Sequence, residues 1–350
     1  MAPRRRFLIT GATGKQGGAV VSSLLEYRAK LPPDQTFEVL CLTRNTTSER
    51  AVSLGSIEGV TIIAGNLFFP LSAFDKAVPI DVADTLESRN TTSERAVSLG
   101  SIEGVTIIAG NLFFPLSAFD KAVPIDAVFC MTCPGDLGDE EKQATALIDA
   151  SLTHGVKHFV FTSVDRGGAD VSETNPTDIP HFRSKHNVEK YLKASCAESQ
   201  MTWTILRPVG FMDNLSPNFR GNSFAAIWAT FGEKRLQLVS ARDIGHFGAV
   251  ALLEPEEYEG RAVGLAGDEL NSKEAKRIFK ETMGYEMPQT WAFVAILIEF
   301  AIPEMGQMFR WLRKAGYSVD IKGLRKEYPE LQDFRAWLQE SSLYERKLDM

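Results

Sequence analysis

Three glycines near the start of the chain, Gly11, Gly14 and Gly17, have the spacing of a turn that binds phosphate groups. The apolar run Phe7-Leu8-Ile9 precedes them, and a helix-like stretch from Ala19 to Leu25 follows. In a strand–turn–helix unit the first glycine permits a tight turn, the second lets the backbone approach a pyrophosphate, and the third allows close packing of the helix on the strand. The free N–H groups at the helix start then face the anion. Glycines also collect in ordinary loops, so the prediction of a dinucleotide-binding turn depends on this context.

Arg44 bears on which dinucleotide is bound. NAD-specific sites usually place an acid at the end of the second strand, where it binds the ribose 2′-hydroxyl. Here Thr43-Arg44-Asn45 follows the predicted second strand, and Arg44 can bind a 2′-phosphate instead. Such a charge-assisted contact contributes roughly 1.5–3 kcal/mol, which is roughly a ten- to hundredfold preference for NADP(H). The alternative is a surface arginine that opens a loop. In all, the predicted cofactor-binding residues are Gly11, Thr13, Gly14, Lys15, Gln16, Gly17, Arg44, Thr132 and Lys185.

A second group of residues able to do chemistry lies on a helix predicted from Pro180 to Lys193. His181, Lys185, Val188 and Leu192 recur at i, i+4, i+7 and i+11, which places them on one inward-facing stripe. An inward lysine needs a partner, and a cofactor ribose or a substrate carbonyl would serve. Alternatively, Lys185 extends outward from a half-buried face. His181 is either a proton donor or a structural histidine near a helix start.

Ser163 follows the predicted fifth strand, His158 to Thr162. A hydroxyl at this point can touch the nicotinamide or the substrate, although a serine at the end of a strand is also ordinary. The candidate catalytic residues are therefore Lys185, His181 and Ser163, and no metal site is expected.

The elements that position these residues alternate as strand and helix from the glycine turn onward, which predicts an α/β fold with a doubly wound parallel sheet. We expect residues 1–165 to form the NADP-binding Rossmann part. Residues 166–350 complete the sheet and add a smaller, α-rich substrate region. Its aromatic and methionine residues suit an apolar pocket or, equally, a core. They are Phe211, Met212, Phe224, Trp228, Trp291 and Phe293.

An internal duplication changes this map. Residues 44–81 recur as residues 89–126 without a difference, at an offset of 45 residues. Two copies are too few for a stacked repeat, so a recent tandem duplication or an error in assembling the sequence is favoured. Each copy offers one strand for the third position of the sheet. Because that position is at the sheet edge in a fold of this type, we expect the surplus strand to join the edge. A looped-out copy would instead expose Leu-Phe-Phe to solvent.

Composition narrows the class of protein. The 350 residues are 44% apolar, enough for one large domain or two small ones, and the net charge of −7 argues against direct nucleic-acid binding. The apolar stretch from Trp291 to Ile302 carries Glu299 and is too short to span a bilayer. No secretory signal is expected, and the four cysteines read as reduced thiols. These features favour a cytoplasmic protein without a membrane partner, which is also nuclear if it acts as a regulator.

The chain resembles the NmrA-like family, a branch of the atypical short-chain dehydrogenases. The resemblance rests on six segments: Thr10 to Gly18, Thr43-Arg44, Phe161-Thr162-Ser163, His181 to Leu192, Leu206-Arg207-Pro208 with Phe211, and Asp243-Ile244-Gly245. It implies an NADP-binding Rossmann fold. Some members are reductases of small substrates such as quinones, imines and phenolic compounds. Others have no known turnover and sense NADP(H) while regulating transcription factors through protein contacts.

One departure from ordinary short-chain dehydrogenases bears on catalysis. Their Tyr-x-x-x-Lys motif provides a phenolic proton donor, whereas this chain has His181-x-x-x-Lys185. A reduction would take its proton from His181, Lys185 or water. Two hypotheses follow: an NADP(H)-dependent oxidoreductase acting on a small apolar carbonyl, imine or quinone, and a non-catalytic NADP(H) sensor with a protein partner.

Overall fold

The computed structural model describes residues 5–32, 36–43, 52–54, 56–57, 60–66, 108–111, 124–132, 139–291, 293, 300 and 302–346. In chain order its strands are β1 (Arg6–Thr10), β2 (Glu38–Thr43), β3 (Val60–Asn66), β4 (Ile108–Asn111), β5 (Ala127–Cys130), β6 (His158–Thr162), β7 (Thr202–Pro208), β8 (Gly210–Phe211), β9 (Leu236–Val239), β10 (Arg261–Leu265) and β11 (Asp268–Leu270). Its helices are α1 (Lys15–Ala29), α2 (Asp139–Thr153), α3 (Ala169–Thr174), α4 (Pro180–Ala197), α5 (Phe219–Ala229), α6 (Ala241–Leu253), α7 (Pro255–Tyr258), α8 (Ser272–Met283), α9 (Pro303–Lys314), α10 (Ile321–Glu327) and α11 (Phe334–Glu340).

The main sheet has the order β10-β7-β6-β5-β1-β2-β3-β4. All the pairs from β6 across to β4 are parallel. Every residue of β5 and β6 is buried, as are the last four of β1. Such continuous burial is typical of parallel strands that are covered on both faces. The predicted Rossmann-like sheet is therefore confirmed, with β1 in its middle and the chain winding outward in both directions.

The duplicated segment supplies two neighbouring strands. β3 comes from the first copy and β4 from the second, and β4 is the last strand of the described sheet on that side. Their register pairs Ile63 with Ile108, Ala64 with Ala109, Gly65 with Gly110 and Asn66 with Asn111. Each residue thus lies opposite its own duplicate. The predicted addition of the surplus strand at the sheet edge is what the structure shows.

Helix positions follow the apolar spacing of the sequence. In α2 the buried residues Ala144, Leu147, Ile148 and Ser151 form one stripe, as amphipathic periodicity requires. Helix α8 begins with a capping box in which Asn271 and Glu274 exchange hydrogen bonds, and it ends at Gly284 with φ of 81°.

The chain is organised as two compact units. The first comprises Met1–Thr162, Asn187–Ile205 and Gly245–Arg261; the second comprises Ser163–His186, Leu206–Ile244 and Ala262–Met350. The second unit contains a small sheet of order β11-β9-β8 and an apolar core that includes Trp228, Phe279, Phe309 and Trp337. The two compact units do not show which part of the chain binds the cofactor and which binds the substrate. The division into residues 1–165 and 166–350 therefore stays a prediction.

Two further expectations concern the membrane and the thiols. None of the described helices is long and apolar enough to cross a bilayer. Most of the apolar stretch from Trp291 to Ile302 lies outside the described residues. Cys41, Cys130 and Cys196 are free and buried, and burial raises the pKa of Cys41 to about 12. Cys133, the fourth cysteine, is outside the described residues.

Candidate active site

The glycine turn joins β1 to α1 in a conformation that only small residues allow. Gly11 has φ of 63°, in the left-handed region, and a Cβ atom there would collide with the side chain of Met131. The Gly14 N–H donates to the Gly11 carbonyl over 2.8 Å and closes the turn. A Cβ on Gly17 would lie 2.5 Å from the Thr10 carbonyl oxygen, so the helix sits directly against the strand end. The strand–turn–helix prediction is confirmed in each of these features.

The start of α1 has the properties of an anion site. No side chain caps the helix at Gly14, and its first turn contains no acidic residue. The first N–H groups of a helix have no partner within the helix, and they carry the positive end of its dipole. A diphosphate therefore fits this turn both by shape and by charge.

Hydrogen bonds hold the turn against neighbouring strand ends. The Thr10 hydroxyl donates to the Met131 carbonyl over 2.9 Å and accepts from the Met131 N–H over 2.7 Å. Across the first unit, the Thr162 hydroxyl donates to Gln16 Oε1 over 2.7 Å. The end of β1 is thus bonded to the residue after β5, and the end of β6 to the first turn of α1. All three ends lie at the carboxyl edge of the sheet, where ligands of open α/β sheets bind.

Two predicted cofactor residues stand apart from the turn. The Thr132 hydroxyl, just after β5, donates to the buried Glu140 carboxylate over 2.6 Å. Arg44 lies outside the described residues, directly after the end of β2 at Thr43. The binding roles of Thr132 and Arg44 stay predictions, as do those of Thr13, Lys15 and Lys185.

In the second unit, Ser163 comes directly after β6 and is held on two sides. Its N–H donates to the Leu206 carbonyl over 2.7 Å. Its hydroxyl oxygen accepts from Arg166 Nη1 over 3.3 Å. Ser163 is 4% exposed, so this hydrogen bond is made away from bulk water.

Arg166 contacts the candidate residue Ser163, and it was not among the residues predicted from the sequence. It is 1% exposed, and its guanidinium donates to backbone carbonyls of Val164, Ser172 and Asn175 as well as to Ser163. Nη2 also lies 3.4 Å from Nδ1 of His186 on α4. The cation thereby links the Ser163 loop to the helix that carries Lys185. An available signal was the run Asp165-Arg166-Gly167-Gly168 at the end of a buried strand.

Asp165 fixes the same loop from the other side. Its carboxylate accepts from the N–H groups of Gly167, Gly168 and Ser318, and from the Ser172 hydroxyl. Burial, with the charge of Asp165 added, raises the pKa of Tyr317.

The predicted stripe of α4 is buried, as expected, at its two apolar positions. Val188 and Leu192 are fully buried, whereas His181 and Lys185 are half-buried. His181 Nδ1 lies 2.7 Å from Glu304 Oε1, at the start of α9. Of the three catalytic candidates, His181 therefore has an acidic partner and Ser163 a cationic one.

The residues suggested for an apolar pocket or, equally, a core fall into two groups in the structure. Met212 and Trp228 are core residues of the second unit, with Phe224 packed against that core. Trp291 and Phe293 are 74% and 61% exposed and stack on each other with ring centroids 5.7 Å apart. Among the described residues, no three side chains are grouped as metal ligands.

The sheet order and the glycine turn define a Rossmann-type α/β protein. More specifically, the chain belongs to the NmrA-like family, whose model matches residues 3–73 and 85–338. Each part of the match contains most or all of one copy of the duplicated segment.

Individual relatives extend the comparison. The chain is 28% identical over 172 residues to an NAD(P)H azoreductase of Xenophilus azovorans; this match spans 49% of the chain and 55% of the relative. The chain therefore covers about half the length of that curated relative. In fold it is similar to an NADPH-dependent quinone oxidoreductase of Escherichia coli solved with NADPH, with a TM-score of 0.61 at 17% identity, covering 95% of this chain and 98% of the other. It is also similar to NmrA, a negative transcriptional regulator solved with NADP, with a TM-score of 0.55 at 12% identity and coverages of 97% and 95%.

Proposed function

We propose that the protein is an NADP(H)-dependent oxidoreductase of the NmrA-like type that reduces a small apolar carbonyl, imine or quinone. The observation that carries the proposal is the closed turn at Gly11–Gly17, with its uncapped helix start and its ties to the ends of β5 and β6. The azoreductase and quinone oxidoreductase relatives support the choice of acceptor, because both names describe reduction of an apolar conjugated group.

In this proposal the cofactor is held by the chain's own groups. The N–H groups at the start of α1 bind the diphosphate, and Arg44 binds the 2′-phosphate. Lys185 orients the ribose or polarises the acceptor. When bound, NADPH supplies a hydride to the acceptor.

In this proposal, residues of the second unit supply the proton of the reaction. His181 donates a proton to the acceptor's oxygen or nitrogen, and Ser163 hydrogen-bonds the same group. Arg166 keeps the Ser163 hydroxyl in place through its 3.3 Å contact. Phe211, which is half-buried, contributes to the apolar surroundings of the acceptor.

Binding and turnover test the two parts of the proposal separately. Calorimetric titration is expected to give tight binding of NADPH and weak binding of NADH. Gly17→Val is expected to weaken NADPH at least tenfold, because its side chain would displace α1 from β1. Absence of NADPH binding to a folded wild-type chain would overturn the cofactor assignment.

Turnover is measured as NADPH consumption with a panel of quinones, imines and aldehydes. Lys185→Ala is expected to lower the rate at least tenfold, whereas Lys190→Ala, an exposed lysine on the same helix, is expected to leave it unchanged. Equal rates for both variants would remove Lys185 from the site.

A second candidate function is favoured by the likeness to NmrA and by the histidine in place of the tyrosine. In this alternative the protein senses the NADP⁺/NADPH ratio and regulates a protein partner without turnover, in the cytoplasm and the nucleus. Unequal affinity for NADP⁺ and NADPH, together with no turnover of any acceptor, would favour the sensor. Turnover of one acceptor at a rate sensitive to Lys185→Ala would favour the enzyme.

A further inference from the structure

Glu304 contacts two different groups of His181. Its Oε1 lies 2.7 Å from the ring nitrogen Nδ1 and 3.3 Å from the backbone nitrogen of the same residue. The two residues are 123 positions apart in the chain. His181 is in the first turn of α4 and Glu304 in the first turn of α9, so this single carboxylate joins the starts of two helices.

Aromatic packing joins α4 and α9 in addition to the ion pair. The rings of His181 and Phe182 meet edge to face with centroids 4.6 Å apart, and Phe182 meets Trp311 of α9 edge to face at 5.3 Å. Phe182 is 2% exposed. Buried apolar contacts therefore join the two helices that carry the imidazole and the carboxylate, so the pair does not rest on its own weak, partly solvated attraction alone.

The contact determines which ring nitrogen carries the proton in neutral His181. An ionised carboxylate only accepts hydrogen bonds, so Nδ1 must donate. Nε2 is then the nitrogen that gains and loses a proton, and the contact at Nδ1 sets the orientation of the ring. Carboxylates that orient a reacting imidazole in this way are a general device of acid–base catalysis.

We propose that Glu304 is a positioning residue that fixes the Nδ1–H tautomer of His181 and so makes Nε2 the proton donor of the reduction. The proposal rests on the oxidoreductase function proposed above. A hydride passes from NADPH to the acceptor, and a proton passes from Nε2 of doubly protonated His181 to the acceptor's oxygen or nitrogen. The products are NADP⁺, the reduced acceptor and neutral His181 with its proton on Nδ1, which is the tautomer that Glu304 holds; solvent then returns a proton to Nε2.

A purely structural role for Glu304 makes different predictions. A carboxylate near the first N–H groups of α4 also stabilises that helix start. Glu304→Gln removes the charge and leaves two orientations of the amide at the place of Oε1, which contacts both groups of His181. With the amide oxygen there, the side chain still accepts from the backbone N–H and from Nδ1; with the amide nitrogen there, it donates to Nδ1 instead, so the substitution no longer determines the tautomer.

The first experiment reads the tautomer directly. ¹⁵N NMR of the side chains of the five histidines, with His181 assigned by its loss in His181→Gln, is expected to show Nδ1–H in the wild type and a mixture in Glu304→Gln. Glu286→Gln serves as the control, since Glu286 pairs with Lys280 at 2.6 Å on the same unit and is exposed. A predominant Nε2–H tautomer in the wild type would overturn the proposal.

The second experiment measures turnover in a double-mutant cycle. Glu304→Gln is expected to lower kcat about ten- to hundredfold, part of the ~10²–10⁴ that general acid catalysis contributes, with little change in KM or NADPH affinity. Because Glu304 acts only through His181, the substitution should have no further effect in a His181→Gln background. An undiminished effect in that background would show a structural role and overturn the proposal.

The two proposals fail in distinguishable ways. If the wild type has the Nδ1–H tautomer but reduces no acceptor, the oxidoreductase function is wrong and Glu304 loses its catalytic role. If turnover is found and Glu304→Gln leaves kcat unchanged, the oxidoreductase function stands and the role of Glu304 is wrong.

Discussion

Ala64 in β3 pairs with Ala109 in β4, its own duplicate 45 residues further along the chain. The three other pairs in this register have the same offset. The third-strand position beside β2 is occupied by the first copy, and the second copy adds one more parallel strand outside it. The duplication thus enlarges the sheet at its edge, away from the glycine turn on β1.

The first prediction is that one repeat unit is dispensable. Deleting residues 82–126 leaves 305 residues and joins Asp81 to Ala127, so that Asp81 takes the place of Asp126, which accepts from the Arg6 N–H over 2.9 Å. We expect NADPH affinity within about twofold of the full chain, measured by calorimetry, because β1, β2 and β5 keep their neighbours. A folded 305-residue chain that has lost NADPH binding would contradict this.

The second prediction concerns cofactor choice. Arg44→Ser is expected to weaken NADPH roughly ten- to hundredfold while changing NADH little, since a charge-assisted contact to the 2′-phosphate is lost. Arg89→Ser is the matched control, because Arg89 has the same downstream neighbours but is not preceded by the second strand. Titration of both variants with both nucleotides tests this. Equal losses, or none, would remove Arg44 from the site.

The third prediction concerns Arg166. Replacing it with methionine leaves the buried carbonyls of Val164 and Ser172 without this donor, each costing about 1–3 kcal/mol. We expect urea denaturation to show a loss of about 3 kcal/mol or more. Arg183→Met on exposed α4 surface should cost less than about 0.5 kcal/mol. A similar small effect for both would mean that the Arg166 contacts contribute little to stability.

The fourth prediction concerns pH. Burial lowers the pKa of His158 to about 4; its ring lies between the hydroxyls of Thr202 and Thr204 at 2.7 and 3.0 Å. Since Thr204 donates to the Tyr258 carbonyl over 2.8 Å, Nε2 of His158 is the donor to Thr204. The folded-state pKa is below that of the unfolded chain. The neutral ring therefore contributes fully to the free energy of unfolding above about pH 6.5. As the pH falls to 4, this contribution decreases by about 3 kcal/mol.

The measurement compares variants, because a second group titrates in the same pH range and has the opposite effect on stability. Burial raises the pKa of Asp243 to about 6, so its contribution grows as pH falls toward 4. Urea denaturation at pH 5 and 7.5 should show less acid destabilisation for His158→Gln than for the wild type. An unchanged pH dependence in His158→Gln would contradict the neutral assignment.

Much of the fold could be predicted because its signals are local. Gly11 must adopt positive φ and Gly17 must be small wherever a strand turns directly into a helix, so the motif carries its own geometry. The strand order followed from the right-handed winding of alternating strands and helices, and it placed the duplicated strand at the edge. The capping box of Asn271 and Glu274 at the start of α8 is likewise made by residues three positions apart, without any distant partner.

The local sequence did not predict where the large apolar side chains lie. Composition could not distinguish pocket from core for Met212 and Trp228, because both environments select large apolar side chains. The packing of the second unit makes them core.

The sequence by itself determined the glycine turn, the parallel sheet, the family and the positions of His181, Lys185 and Ser163 on their elements. Only the tertiary structure decided what these side chains meet. Glu304 reaches His181 across 123 residues, and Arg166 turns back to hold Ser163. Backbone preference and periodicity act over a few residues and can be read along the chain. The partner of a side chain, in contrast, depends on which distant segments the packing of the core brings together.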